Sequence, residues 1–237
     1  MKKTLLILFS LFALTCALLG QKKEVLNLQQ VDYKPMHFGF VLGLHTQDFS
    51  LQPSGVADAN GVVWNGEVAS PSPGFTVGMI TDFRLSEYFS LRFIPTLNFG
   101  DRNITFAGFK DGVKVDSYTT NVLSTLVSLP FYLKYRSLRL NNYRPYLIVG
   151  AGPMFDLARK KDLDILLKPV DFCIEFGVGC DCYLPFFKLA PEFKMNIGFN
   201  NMIERDRPMI ANEKNIKYTE AISRLTSRLF ILTFNFE

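Results

Sequence analysis

Apolar and polar residues alternate with a period of two along most of this chain, the pattern of strands whose two faces meet different surroundings. In the first run Phe38, Phe40, Leu42 and Leu44 share one face, and His37, Gly39, Val41, Gly43 and His45 the other. A second places Phe75, Val77 and Met79 opposite Thr76, Gly78, Ile80 and Asp82. A third sets Leu91, Phe93, Pro95, Leu97 and Phe99 against Ser90, Arg92, Ile94, Thr96 and Asn98. The fourth has Leu123, Thr125, Val127, Leu129, Phe131 and Leu133 facing away from Ser124, Ser128, Tyr132 and Lys134. A fifth, residues 145–157, is glycine-rich and its faces are less defined. In the sixth, Phe172, Ile174, Phe176 and Val178 oppose Cys173, Glu175, Gly177, Gly179 and Asp181. The seventh puts Leu189, Pro191, Phe193, Met195, Ile197 and Phe199 against Lys188, Glu192, Lys194, Asn196 and Gly198. The eighth places Phe230, Leu232, Phe234 and Phe236 opposite Leu229, Ile231, Thr233 and Asn235. Helical spacing fits none of these runs, so the pattern predicts an all-β chain of eight antiparallel strands. Pro95 and Pro191, each within a run, predict a local bulge or bend.

A soluble sandwich also alternates, so the connections decide between architectures. Long segments at residues 46–72, 101–120 and 201–222 and a medium one at 158–168 take turns with short ones at 85–88, 138–144 and 184–186. That order predicts a transmembrane β-barrel with long extracellular loops on one rim and short periplasmic turns on the other. Tyr88, Phe89, Tyr135, Tyr143, Tyr146, Tyr183, Phe186 and Phe187 cluster at the short-turn rim, as an interfacial aromatic girdle requires. Phe230, Phe234 and Phe236 extend the aromatic alternation through the last strand and resemble the terminal assembly signal of outer-membrane barrels.

Composition narrows the class. The chain is 48% hydrophobic and 14% aromatic with 23 phenylalanines, yet beyond its first residues no stretch approaches the ~18 apolar residues of a membrane helix. Met1-Lys2-Lys3 followed by an uncharged run to Leu19 predicts a signal peptide over residues 1–20, a periplasmic segment over 21–35 and the barrel over 36–237. Cys16 precedes more apolar residues and follows Thr15, which favours ordinary export over lipidation. Without Lys2 and Lys3 the chain has 24 basic and 22 acidic residues, a balance that gives no case for nucleic acid. Cys173, Cys180 and Cys182 are odd in number and lack metal or redox spacing, so they read as small strand residues rather than a disulfide framework or metal site.

Eight strands enclose an interior that side chains fill. Parity directs Asp82, Arg84, Arg92, Lys134, Glu175, Asp181, Glu192 and Lys194 inward, where mixed signs predict a structural network of ion pairs rather than a proton or ion path. His45 with Asp48 and Ser50, at the exit of the first strand, is the one constellation that could serve a lipid-modifying enzyme. No motif fixes its geometry, so the expectation is a chain without catalytic, cofactor or metal residues. Arg159, Lys160, Lys161, Arg205 and Arg207 are charged loop residues suited to lipopolysaccharide or a protein partner.

Several strings carry a family likeness. Leu85-Ser86-Glu87-Tyr88-Phe89-Ser90-Leu91-Arg92-Phe93-Ile94-Pro95, Asn141-Asn142-Tyr143-Arg144-Pro145-Tyr146 and Tyr183-Leu184-Pro185-Phe186-Phe187-Lys188 resemble the PorT proteins, as do His37-Phe38-Gly39-Phe40 and Leu129-Pro130-Phe131-Tyr132-Leu133-Lys134-Tyr135. The likeness spans roughly residues 33–199. It implies an integral outer-membrane accessory of the type IX secretion system, which exports proteases and surface adhesins, with other secretion proteins as partners. The alternative is a structural or surface-binding barrel with no secretion role.

Overall fold

The computed structural model describes residues 25–58, 61–68, 72–110, 113–157, 167–204 and 219–237. The expected leader and the loop residues Arg159, Lys160, Lys161, Arg205 and Arg207 lie outside the described residues. A single 3-10 turn (Val31–Tyr33) precedes the strands β1 (Met36–Pro53), β2 (Val63–Val68), β3 (Ser72–Arg84), β4 (Phe89–Phe93), β5 (Thr96–Lys110) and β6 (Val113–Ser128). There follow β7 (Phe131–Arg136), β8 (Tyr143–Asp156), β9 (Val170–Tyr183), β10 (Lys188–Gly198) and β11 (Ile222–Phe236). All pairings are antiparallel, and β11 returns to β1 from Phe40↔Phe236 onward, closing a ring of eight. In that ring β4 and β5 make one staircase and β6 and β7 another.

The breaks within both staircases fall at Ile94-Pro95 and Leu129-Pro130, where proline removes a ladder donor. Pairing resumes across them through Met79 N–H to Pro95 O at 3.1 Å and Leu129 N–H to Pro153 O at 3.0 Å. Parity survives, with Ser90, Arg92, Ile94, Thr96 and Asn98 all buried. At Pro191 the strand β10 continues, while its ladder to β9 skips Ala190 and Pro191 and resumes in the same register at Glu192.

A crossing needs about 9–11 residues per strand, whereas β1, β5 and β6 have 18, 15 and 16. The surplus projects past the long-loop rim, so much of what reads as loop at residues 46–72 and 101–120 is strand instead. There Phe49, Trp64, Ile104, Phe106, Ile222 and Leu225 build a separate apolar cluster. Its residues come from strands distant in sequence, and mixed polar flanks such as Asn103 and Thr105 hide the alternation.

The middle of the barrel obeys the expected inside-out pattern. Phe38, Leu44, Phe75, Met79, Phe131, Leu147, Phe176, Val178 and Phe193 are exposed on the outer face, where lipid would cover them. Tyr88, Phe89, Tyr135, Tyr143, Phe186 and Phe187 stand exposed at the short-turn rim. Tyr146 and Tyr183 do not join that girdle, because both point inward and are only 3% and 2% exposed. Gly179 opposite Tyr146 leaves the room: a Cβ there would overlap the Tyr146 ring, its hydroxyl oxygen 2.5 Å away.

Candidate functional site

The lumen is where the polar side chains converge. Arg92 on β4 donates from Nε to Asp82 Oδ2 at 2.8 Å and from Nη2 to Glu237 Oε1 at 2.7 Å, with Glu192 3.7 Å from Nη1. Lys134 on β7 meets both oxygens of Asp181 on β9 at 2.9 Å, and Lys188 on β10 reaches Glu237 at 2.6 Å. One layer further in, Lys194 pairs with Glu192 at 3.2 Å, while the hydroxyls of Tyr146 and Tyr132 donate to Glu192 and Glu175 at 2.7 and 2.5 Å. Asn196 adds a second donor to Glu175 at 2.8 Å. Each buried carboxylate named here has a charged or hydrogen-bonding partner, as desolvation demands.

Seven of the eight expected inward residues thus lie in one network. Arg84 is the exception. It sits where β3 leaves the barrel wall, so parity no longer directs it inward; its Nε donates to Ser86 O at 3.3 Å and its guanidinium lies 5.6 Å from the centre of the Tyr33 ring. Missing from the expectation are Glu237, Tyr132 and Tyr146 as network members, and the pair Arg102–Asp156 at 3.2 Å. Glu237 simply continues the inward parity of Thr233 and Asn235, a signal within the sequence. Arg102 and Asp156 occupied segments read as loop and as the ill-defined fifth strand.

Toward the long-loop end the lumen is filled rather than open. Leu126, Met154, Cys173, Leu229 and Ile231 form an apolar layer. Beyond it Arg102 also donates to Ser124 at 2.8 Å and Ser227 at 3.3 Å. His45 Nδ1 lies 2.8 Å from Thr76 Oγ1 and its Nε2 2.7 Å from Gln47 Nε2, so both ring nitrogens are engaged. Asp48 lies on the opposite face of β1 and accepts from the Phe49 N–H at 2.7 Å, and Ser50 shares that face. The three residues that could have served lipid chemistry therefore do not meet.

At the opposite end, residues 25–35 lie across the short-turn mouth. Asn27 and Asn142 are tied through Asn27 N–H to Asn142 Oδ1 at 2.9 Å and Asn142 Nδ2 to Val25 O at 3.0 Å. Asp32 accepts from the Tyr183 hydroxyl at 2.6 Å and lies 3.4 Å from both Arg139 and Arg144. Burial alone would raise the Asp32 carboxyl; the Tyr183 hydroxyl, Arg144 and Arg139 outweigh it and hold the group below its usual range. Leu26, Gln29, Asp32, Tyr33, Arg84 and Arg139 help line an adjoining groove of about 330 Å³.

Cys173 is buried in the lumen, while Cys180 and Cys182 face outward, and all three are free thiols. Among the described residues no group of His, Cys, Asp and Glu is arranged to hold a metal ion.

The model of the outer membrane protein beta-barrel domain family matches residues 21–204. Among solved structures, Neisserial surface protein A (NspA) is similar over 85% of this chain and 98% of its own, at 10% identity and a TM-score of 0.43. The outer membrane protein OprG from Pseudomonas aeruginosa is similar over 84% of this chain and 92% of its own, at 11% identity and a TM-score of 0.37. No curated protein matches the chain in sequence.

Proposed function

The chain belongs to the outer membrane protein beta-barrel domain family, and from that premise we propose that it is a non-enzymatic accessory of the type IX secretion system. The closed lumen carries this reading. Ion pairs, an apolar layer and a second apolar cluster fill the barrel in series, and residues 25–35 cover its periplasmic mouth. A barrel so filled is no conduit for folded cargo, so a role in export falls to its rims and loops. The PorT-like strings support the same assignment: Arg92 and Lys134 are network residues within them, and Asn142, Arg144 and Tyr183 hold the covering segment. On this reading the barrel works as a scaffold or assembly factor, with outer-membrane lipid and lipopolysaccharide around it and secretion proteins at a rim.

Deletion of the gene tests this directly. Secreted protease activity and surface cargo should fall, cargo should accumulate in the periplasm, and a plasmid copy should restore export. Normal export, with the protein still fractionating in the outer membrane, would leave a structural or surface-binding barrel in its place.

A further inference from the structure

Arg136 ends β7 with its side chain turned into the periplasmic mouth, and only 2% of the residue is exposed. Its neighbours in the lumen, Arg92, Lys134 and Lys188, each pair with a carboxylate. Arg136 does not: its Nε–H and Nη2–H are buried without a hydrogen-bond partner among the described residues. These two N–H groups are the parallel pair of the guanidinium fork, the pair that takes two oxygens of one carboxylate or phosphate. Ser90, fully buried on the facing strand β4 and opposite Lys134, leaves its hydroxyl unpartnered as well. Arg136 and Lys188 both interact electrostatically with the ring of His37, as do the Glu237 and Asp82 carboxylates, so these groups share one space at the mouth. A buried guanidinium left without an anion is unfavourable, and the carboxylates around the same space, Asp82 and Glu237, are engaged by Arg92 and Lys188 rather than by Arg136.

We propose that Arg136, with the Ser90 hydroxyl on the same inner face two residues along the β4–β7 ladder, forms a binding site for one small oxyanion, a carboxylate or phosphate group, at the periplasmic mouth. Two sources share that chemistry: a free anion, or the acidic side chain of a polypeptide engaging the mouth. The site does not depend on the secretion role, since it follows from the unpaired fork alone.

Calorimetric titration of the folded barrel in detergent at constant ionic strength tests it, with acetate, inorganic phosphate and a short peptide carrying one glutamate as probes. The wild type should bind at least one probe saturably at a single site. Arg136→Gln should weaken that binding about tenfold or more, as expected for loss of a charge-assisted bidentate contact. Arg136→Lys, which keeps the charge but not the parallel pair, should weaken it too, and carries the test if the glutamine variant fails to fold. Lys168→Gln, exposed at the opposite, long-loop end, should bind as the wild type does. Binding of the peptide without acetate or phosphate identifies a polypeptide side chain as the occupant; binding of the free ions identifies a small anion. Absence of saturable binding by all three probes, or unchanged affinity in the Arg136 variants, overturns the proposal.

Discussion

Individual side chains in this lumen are held by shape and hydrogen bonding together, and Tyr132 shows how the two combine. Its ring crosses the β8 backbone at Gly150, where a Cβ would overlap the ring and approach Phe131 O to 2.6 Å. Its hydroxyl donates to Glu175, whose other oxygen accepts from Asn196. Tyr132→Phe keeps the packing and removes one donor from a buried carboxylate, which costs about 1–3 kcal/mol. Gly150→Ala keeps every hydrogen-bonding group and forces the ring aside, which costs roughly 1–3 kcal/mol by overpacking. Denaturant unfolding in detergent, followed by the gel mobility of folded and unfolded forms, should place both variants below the wild type. If Tyr132→Phe matched the wild type, the Glu175 contact would contribute nothing to stability.

Residues 25–35 form an element of another kind, attached by side chains rather than by a strand ladder, and Asp32 is its centre. The carboxyl is held below its ordinary range, so its contribution is fully present above the unfolded value near pH 4 and is lost as pH falls through the lower, folded value. Hydrogen exchange corrected for intrinsic rates should therefore show residues 27–33 protected at pH 7 and less protected at pH 3. Asp32→Asn should exchange about tenfold faster at pH 7 and lose most of that pH dependence. Equal protection in both proteins would show that the segment is held without the ion pairs. The sequence shows little of this element, since its ties run through Asn27, Asp32, Arg139 and Asn142, residues with no periodic pattern that meet across more than 100 positions. The wall itself was legible, because alternation depends on which face a residue occupies: every inward position named for β1 is on the inner face, including His37 and His45. Parity fails at strand ends, as Arg84 shows, and holds one residue past β11, where Glu237 joins the lumen network. Rim position likewise did not distinguish Tyr143, which faces out, from Tyr146 and Tyr183, which face in.

For the whole molecule, the decisive property is that its closures are arranged in series. Ions entering from the periplasm would have to pass residues 25–35, then the layer containing Arg92, Lys134, Asp181 and Glu237, where every named charge is paired. Next come the layer of Lys194, Glu192 and Glu175, whose charges are also paired or hydrogen-bonded, and then the apolar layer of Leu126, Met154, Cys173, Leu229 and Ile231. Arg102 and Asp156 follow, and then the cluster around Trp64 and Phe106. Removing the first closure leaves the others standing, so a variant lacking residues 25–35 should conduct no better than the intact barrel. In planar bilayers both should give no stable open level, unlike the wider porins of about 16–18 strands, whose interiors hold an aqueous channel. A sustained, wide conductance from the intact protein would mean that the layers part together. Conductance appearing only in the truncated form would place the whole barrier at the mouth, contrary to a lumen closed along its length.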